Sequence, residues 1–280
     1  MSSYPRGRHV LSDAKLRLDR IPVEQGVLVV EGPDDKRVLG EHVLDRRQIV
    51  VAGGRRLLLN AHELAHGESE NRLLFLTDCD YEIAAGTLHG AVDLVITQHA
   101  DLEADLLFAG AMGRIVGEVL PNIEGNEELR IISDEVLSRA IAMAEPIGRM
   151  RKVARLREIE IDVVDLRYQR ARAPHTLAVD VRRLAQMVVQ RSPRCDLSAD
   201  ELHELATSVD GGELVCNGHD LVAAIQSVLH EDYGVDVARL GGALTLLHMA
   251  ADRTLLARCE ILGRIERWEK HSGRKLLRAV

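Results

Sequence analysis

The sequence predicts an α/β fold in which a parallel β-sheet is flanked by helices and followed by a mainly helical C-terminal part. From Gly26 onward, short apolar runs alternate with segments of helical periodicity, and this alternation is typical of parallel strands joined by helical crossovers. After Pro121 the helical segments become longer. With 280 residues, 46% of them hydrophobic, the chain can bury a sizeable core as one large domain or two small ones.

Four short apolar runs are predicted to form the strands of the sheet: Val27–Val30, 48–52, 72–77 and 92–97. Pro33 suits the first position of a helix that continues to Leu44, because its φ is fixed and it has no N–H to leave unsatisfied. Gly53 and Gly54 form the turn into a second helix, over residues 55–65. The order strand, helix, strand, helix is the repeating unit of a parallel sheet.

Three local patterns predict structure after the sheet. A helix is expected to begin at Ser133, whose hydroxyl can cap it. Residues 159–166 alternate apolar and acidic side chains, which predicts a further strand. Ser198 and Glu201 have the spacing of a capping box, which predicts the start of another helix.

An apolar stripe near the C-terminus predicts one long helix that contributes to the core or contacts a partner. The stripe consists of residues at helical spacings: Leu244, Leu247, Ala251, Leu255 and Leu262. Because homodimers are the commonest symmetric assemblies, a homodimer is the default expectation for such a surface. The predicted organisation is an N-terminal extension, an α/β domain and a helical C-terminal domain, over 1–24, 25–170 and 171–280.

The composition excludes several classes of protein. Lys and Arg total 36 against 44 Asp and Glu, a formal charge of −8, so the chain is not a uniformly basic coat for nucleic acid. Aromatic residues make up 2%, too few for the stacking platforms that grip single strands. Residues 149–194 hold 12 Lys or Arg against 5 Asp or Glu, a local charge of +7. This stretch is either a face that contacts phosphates or an ion-paired helix surface.

Cysteine usage and hydropathy predict a cytoplasmic protein without a membrane partner. The four cysteines lie far apart and form no C-x-x-C pair, which argues against a disulfide framework and against a thiolate zinc site. Residues 1–26 contain no signal-peptide pattern, and no apolar run approaches the roughly 18 residues of a membrane span.

Acidic residues follow the predicted strands. They are Glu31 and Asp35 after the first strand, Asp78 and Asp80 after the third, and Asp101 and Glu103 after the fourth. The carboxyl ends of parallel strands meet at one edge of a sheet, where ligands of open α/β folds bind. Carboxylate oxygens suit Mg²⁺ or Mn²⁺, so the pattern predicts a metal site at this edge.

Each acid also has a structural interpretation. Asp35 lies where the positive end of any helix favours a negative charge, and Glu103 is as well explained by a solvated surface. The functional interpretation is favoured for Glu31, Asp78 and Asp80, because they directly end the most apolar strands, where an unpaired carboxylate is costly.

Two segments resemble a known family. VLVVEGPDDKRVL at residues 27–39 and LLFLTDCDYE at residues 73–82 resemble a TOPRIM domain, with a Glu after the first strand and a D-x-D after the third. The E-x-x-x-D of Glu31 and Asp35, with TQHADLEADLL at residues 97–107, resembles the OLD-like TOPRIM proteins more closely. In particular, it is similar to a bacterial branch found beside ABC-type ATPases in phage-defence operons.

The resemblance implies a metal-dependent nuclease that acts on DNA or RNA as an antiviral defence effector with an ABC-type ATPase partner. It implies one or two Mg²⁺ ions held by Glu31, Asp35, Asp78, Asp80 and Glu103. Glu31, Asp78 and Asp80 would be catalytic through the metal. The family's late catalytic lysine is assigned to Lys152; the other interpretation of Lys152 is a solvated residue on a basic helix.

Three functions remain open at the level of sequence. The first is the Mg²⁺- or Mn²⁺-dependent nuclease, since two such ions can activate water and stabilise the leaving oxygen of a phosphodiester. The second is a non-catalytic TOPRIM-like module that binds or regulates. The third is a phosphatase with Asp78 as its nucleophile. His219 either assists proton transfer or follows an Asn217-Gly218 turn into a helix, and Tyr81 is expected to pack.

Overall fold

The computed structural model describes residues 7–68, 70–81, 90–163, 166, 168–173, 176, 178–211 and 215–278. Two compact units divide the chain. Unit 1 comprises Met1–Cys79, Gly86–Leu102 and Ala251–Val280. Unit 2 comprises Asp80–Ala85 and Glu103–Ala250.

Unit 1 contains the predicted sheet. Its strands are β1 (Val27–Val30), β2 (Ile49–Val51), β3 (Leu73–Thr77) and β4 (Leu94–Ile96). In the described part of the chain these strands form one four-stranded sheet in the order β2-β1-β3-β4, and every neighbouring pair is parallel. The α/β prediction with a parallel sheet is therefore confirmed. The two central strands are buried along their whole length, as their continuous apolar runs require.

Helices near the N-terminus cover the sheet. They are α1 (Arg8–Leu18), α2 (Pro33–Leu39) and α3 (Arg55–Gly67). Pro33 begins α2 as predicted, but the helix ends at Leu39, before the predicted Leu44. Residues 1–24 were predicted as an extension, yet α1 buries Leu11 and Ala14 in the same core as β1 and β3. The N-terminal helix is thus part of unit 1.

Residues 251–280 complete unit 1 with two short helices, α11 (Arg253–Arg258) and α12 (Ile261–Ser272). The Gly26 amide donates to the Lys275 carbonyl at 3.0 Å, and Arg264 Nη1 donates to the Ile96 carbonyl at 2.5 Å. Trp268 of α12 is almost completely buried. These contacts attach the last part of the chain to strands that lie far from it in sequence.

The prediction of one long terminal helix is wrong. Its residues belong to α10 (Ala243–Ala250), α11 and α12. Asp252 caps α11 by accepting a hydrogen bond from the Leu255 amide at 3.0 Å, and Glu260 has a φ of 58° directly before α12. The stripe residues Leu247, Leu255 and Leu262 are buried within the chain. The homodimer expected from this stripe stays a prediction.

Unit 2 is mainly helical in its described residues. Its helices are α4 (Leu102–Leu106, which begins at the last residue of unit 1), a π-helical turn (Leu107–Ala111), α5 (Met112–Val119), α6 (Asn126–Leu156), α7 (Val181–Arg191), α8 (Ala199–Ser208), α9 (Gly218–Tyr233) and α10. The predicted capping box of Ser198 and Glu201 begins α8 and is confirmed. Within the described residues, no helix is both long enough and apolar enough to cross a membrane.

Two predictions for the segments now in unit 2 are wrong. Ser133 does not begin a helix, because α6 starts seven residues earlier, and its hydroxyl instead donates to the Leu129 carbonyl at 2.6 Å. The described residues of 159–166 form no strand, although 164 and 165 lie outside the described residues. The Ile159 amide pairs with the Ala154 carbonyl, and the Asp162 amide pairs with Ser192 Oγ, so these groups bond to helix ends rather than to a neighbouring strand.

The two units differ from the predicted segments 25–170 and 171–280. The α/β unit includes residues from both ends of the chain, and the helical unit begins within the predicted α/β domain. The reason is that the last 30 residues bond to the sheet, while residues 103–170 pack with later helices, as α6 does with α9. Sequence order alone does not carry that information.

An ion pair in unit 1 leads to a prediction about pH. His62 Nε2 lies 3.2 Å from Asp93 Oδ1, and this contact lowers the pKa of Asp93 more than partial burial raises it. The folded pKa of Asp93 is thus below the unfolded value, so its stabilising effect is present above about pH 4 and is lost as the pH falls through the folded pKa. We expect Asp93→Asn to lower the free energy of unfolding by about 1 kcal/mol at pH 7.

Denaturant titrations at several pH values test this expectation. The difference between the wild type and Asp93→Asn should shrink towards zero as the pH is lowered from 5 to 2. Parallel curves over that range would show that Asp93 does not contribute through its charge.

Candidate functional site

Glu31 lies at the carboxyl end of β1, next to the end of β3. Its Oε1 accepts one hydrogen bond from Thr77 Oγ1 at 2.5 Å and another from the Asp78 amide at 2.9 Å. The two strands are neighbours in the sheet, with Val30 opposite Leu76, and this register brings their ends together. The structure therefore brings Glu31 and Asp78 together, and uncharged donors fix the orientation of the Glu31 carboxylate.

The loop after β2 adds backbone and positive charge at the same edge. The amides of Gly53 and Gly54 both donate to the Glu31 carbonyl at 3.1 Å, in a turn where their φ angles are 80° and 122°. Such angles are strained for residues other than glycine. The turn leads directly into α3, and Arg55 at its start donates from Nη1 to the Asp78 carbonyl at 2.5 Å. A guanidinium group thus contacts the backbone of Asp78.

Asp35 lies at the start of α2 and is buried. Its Oδ2 accepts a hydrogen bond from the Gly32 amide at 2.8 Å, which caps the helix. This contact matches the helix-start interpretation of Asp35. The role of Asp35 as a metal ligand stays a prediction.

Asp80 and Tyr81 form a turn in which both residues have positive φ, 44° and 72°. The Tyr81 side chain is buried and its hydroxyl donates to the Val215 carbonyl at 2.9 Å, so Tyr81 packs as expected. These two residues belong to unit 2, whereas Asp78 belongs to unit 1. The prediction that Asp78 and Asp80 point to the same site stays untested.

Glu103 lies on α4 in unit 2, where its side chain is 5% exposed. His248 Nε2 of α10 lies 3.3 Å from Glu103 Oε1, and a ring nitrogen of His219 lies within 4.8 Å of a Glu103 oxygen. Burial alone would raise the pKa of Glu103, but the hydrogen bond with His248 and the charge of His219 together lower it. Asp101, two residues earlier in the chain, is buried and belongs to unit 1.

His248 was missed by the sequence interpretation. It is 145 residues from Glu103 and lies in an apolar helix, where no local pattern indicates chemistry. For His219 the turn into a helix is confirmed, and a role in proton transfer stays a prediction. Asn217 caps α9 by accepting a hydrogen bond from the His219 amide at 3.0 Å, while the imidazole is exposed and close to Glu103.

Lys152 lies in α6 of unit 2, with its Nζ 3.5 Å from the Asp210 carbonyl. The basic stretch around it contains many ion pairs within unit 2. The pairs are Arg149–Glu145, Arg151–Asp220, Arg172–Glu231, Arg182–Asp200, Arg191–Asp162 and Arg194–Glu160. These pairs match the ion-paired interpretation of residues 149–194 and reduce the charge that this stretch offers to phosphates.

The six predicted site residues are thus divided between the units. Glu31, Asp35 and Asp78 lie at the sheet edge of unit 1, and Asp80, Glu103 and Lys152 belong to unit 2. A single metal site that contains them all stays a prediction. Comparisons with known proteins add no assignment, since no protein-family model and no curated protein matches the chain.

Proposed function

We propose that this protein is a metal-dependent hydrolase that cleaves phosphodiester bonds of DNA or RNA. The observation that carries the proposal is the orientation of the Glu31 carboxylate by the Asp78 amide, at the carboxyl ends of two adjacent, buried parallel strands. Ligand and metal sites of open α/β sheets lie at this edge. Hydrogen bonds from Thr77 and Asp78 hold the carboxylate in place before any ligand arrives.

The residues at the edge fit a hard divalent cation. Glu31 and Asp78 supply carboxylate oxygens, which Mg²⁺ and Mn²⁺ prefer, and Asp35 supplies another nearby in the chain. The contacts to Glu31 Oε1 come from a hydroxyl and an amide, so they orient the carboxylate without neutralising its charge. When bound, a metal ion would activate water and stabilise the leaving oxygen of a phosphodiester.

Other groups at the edge suit a phosphate substrate. Arg55 is held beside Asp78, where its guanidinium can attract a phosphate group and stabilise negative charge. In metal-assisted hydrolysis the attacking group would be a water molecule, so neither Glu31, Asp78 nor any other side chain has to act as a nucleophile.

The resemblance to the OLD-like TOPRIM proteins supports the finer parts of the proposal. On this basis the protein is a cytoplasmic defence effector that works with an ABC-type ATPase, and its substrate is nucleic acid rather than a small phosphate ester. Lys152 would then be the late catalytic lysine.

A cleavage assay tests the proposal. The purified protein is incubated with supercoiled plasmid, linear DNA and total tRNA, each with Mg²⁺, Mn²⁺ or EDTA. We expect cleavage of at least one substrate with metal and none with EDTA. Release of phosphate from a monoester without diester cleavage would favour the aspartate-nucleophile phosphatase. Binding of nucleic acid without turnover would favour the non-catalytic module.

A further inference from the structure

Helix α3 of unit 1 carries two histidines four residues apart. They are His62 and His66, in the sequence HELAH at residues 62–66. Residues at this spacing lie on the same face of a helix, and two histidines in the pattern H-E-x-x-H can bind one Zn²⁺ ion. The pattern is short, so the surroundings of the two rings decide whether they can hold a metal.

Asp93 places a carboxylate beside the first of these rings. His62 Nε2 lies 3.2 Å from Asp93 Oδ1. This nitrogen is buried, yet it makes no hydrogen bond to the described residues, whereas most buried polar atoms have such a partner. Two ligand atoms of a tetrahedral ion, each bonded at about 2.0–2.1 Å, are separated by about 3.3 Å. The nitrogen and the oxygen thus have the separation of two zinc ligands.

The fold of unit 1 positions both groups around one residue of the sheet. The His62 ring packs edge-on against Phe75 of β3, with ring centroids 5.1 Å apart. The Phe75 amide donates to the Asp93 carbonyl at 2.9 Å, directly before β4 begins. Because the strands are parallel, Asp93 lies at the amino edge of the sheet, opposite to the carboxyl edge that carries Glu31.

His66 can supply a third ligand from the last turn of α3. Its ring centroid lies 6.4 Å from that of His62. Two imidazoles on one tetrahedral zinc ion have centroids about 5 Å apart. Because His66 is exposed, rotation of its side chain closes the difference without a shift of the helix.

We propose that His62, His66 and Asp93 bind one Zn²⁺ ion, with a water molecule in the fourth position. Imidazole nitrogens and a carboxylate oxygen are usual zinc ligands, and three protein ligands with one open position form a tetrahedral zinc site. Without the ion, His62 and Asp93 form the ion pair described above. The site goes beyond the proposed nuclease function, because it uses no residue of the carboxyl edge.

Cobalt spectroscopy on the full chain tests the site, because Co²⁺ replaces Zn²⁺ and absorbs visible light much more strongly in a tetrahedral site than in water. We expect one equivalent of Co²⁺ to give this absorption in the wild type, and Zn²⁺ to displace it. His66→Ala should lose the absorption, with Zn²⁺ affinity from calorimetry at least about tenfold weaker. Because His66 is exposed, circular dichroism of this variant should match the wild type.

Two variants are matched controls that should keep the absorption. His271 is an exposed histidine on α12 of the same unit, and Glu63 is an exposed residue between the two histidine ligands, so His271→Ala and Glu63→Gln remove no ligand. Retention of absorption and affinity in His66→Ala would overturn the proposal. A wild type without tetrahedral absorption at saturating Co²⁺ would also overturn it, as would loss of the absorption in either control. Absorption that persists in Glu31→Gln would show that the site stands even if the nuclease proposal fails.

Discussion

The Glu31→Gln protein is expected to lose metal-dependent cleavage by roughly 1000-fold while keeping its fold. Glutamine keeps an oxygen that accepts the hydrogen bonds from Thr77 and the Asp78 amide, so the local structure should persist. The substitution removes the charge that would hold a cation. Because carboxylate repulsion also falls, the melting temperature of the metal-free protein should be equal or higher. Cleavage rates and thermal unfolding measured on the same preparation check both parts.

Asp34→Asn is the matched control for this experiment. Asp34 adjoins Asp35 at the start of α2 and is assigned only to the helix end, so the variant should cleave at close to the wild-type rate. Asp78→Asn should behave as Glu31→Gln does. Full cleavage by either Glu31→Gln or Asp78→Asn, in a preparation free of host nucleases, would contradict the nuclease proposal. The non-catalytic binding module would then be the favoured function.

Gly148→Ala is expected to destabilise the protein by about 3 kcal/mol or more. A Cβ at residue 148 would lie 2.1 Å from the Val215 carbonyl oxygen and 2.8 Å from its carbon. These are backbone atoms, and the same carbonyl accepts a hydrogen bond from the Tyr81 hydroxyl, so it cannot rotate away. Helix α6 must therefore separate from the segment before α9. Chemical denaturation monitored by circular dichroism measures the loss.

Gly117→Ala is the control, and its expected effect on the free energy of unfolding has the opposite sign. Gly117 also lies within a helix, α5, but a Cβ there would lie 3.7–3.8 Å from the Leu129 methyl groups, an ordinary contact. Alanine should therefore stabilise the protein by about 0.5–1 kcal/mol, because it restricts the unfolded backbone. If Gly148→Ala were as stable as Gly117→Ala, the close approach of α6 to Val215 would be wrong.

The sheet was predictable because its signal is local. Each strand is a short apolar run, and Gly53 with Gly54 marks the turn after β2. The pairing of β1 with β3 followed from no single segment, yet it decides that Glu31 meets Asp78 rather than another acid. The prediction that the acids meet at the sheet edge thus depended on a general rule, that the carboxyl ends of parallel strands lie at one edge. The structure follows this rule for Glu31 and Asp78.

Local patterns failed where distant partners decide the structure. Residues 159–166 have the alternation of a strand, but the partners of their backbone groups are Ala154 and Ser192 rather than a strand. The terminal apolar stripe has helical spacing, but Asp252 caps a new helix within it. Similarly, Glu103 contacts His248, which lies 145 positions away in the sequence, and no local pattern around either residue predicts this contact.

The course of the chain through the two units has a consequence for synthesis. Apart from residues 80–85, unit 2 is one continuous segment, Glu103–Ala250, inserted into unit 1. The helical insert is complete when residue 250 leaves the ribosome, whereas the sheet still lacks α12 and the Lys275 carbonyl that pairs with Gly26. Strand β1 must therefore wait for residues 261–275, which are translated much later. During that interval the apolar strands of the sheet lack part of their cover, which makes aggregation easier.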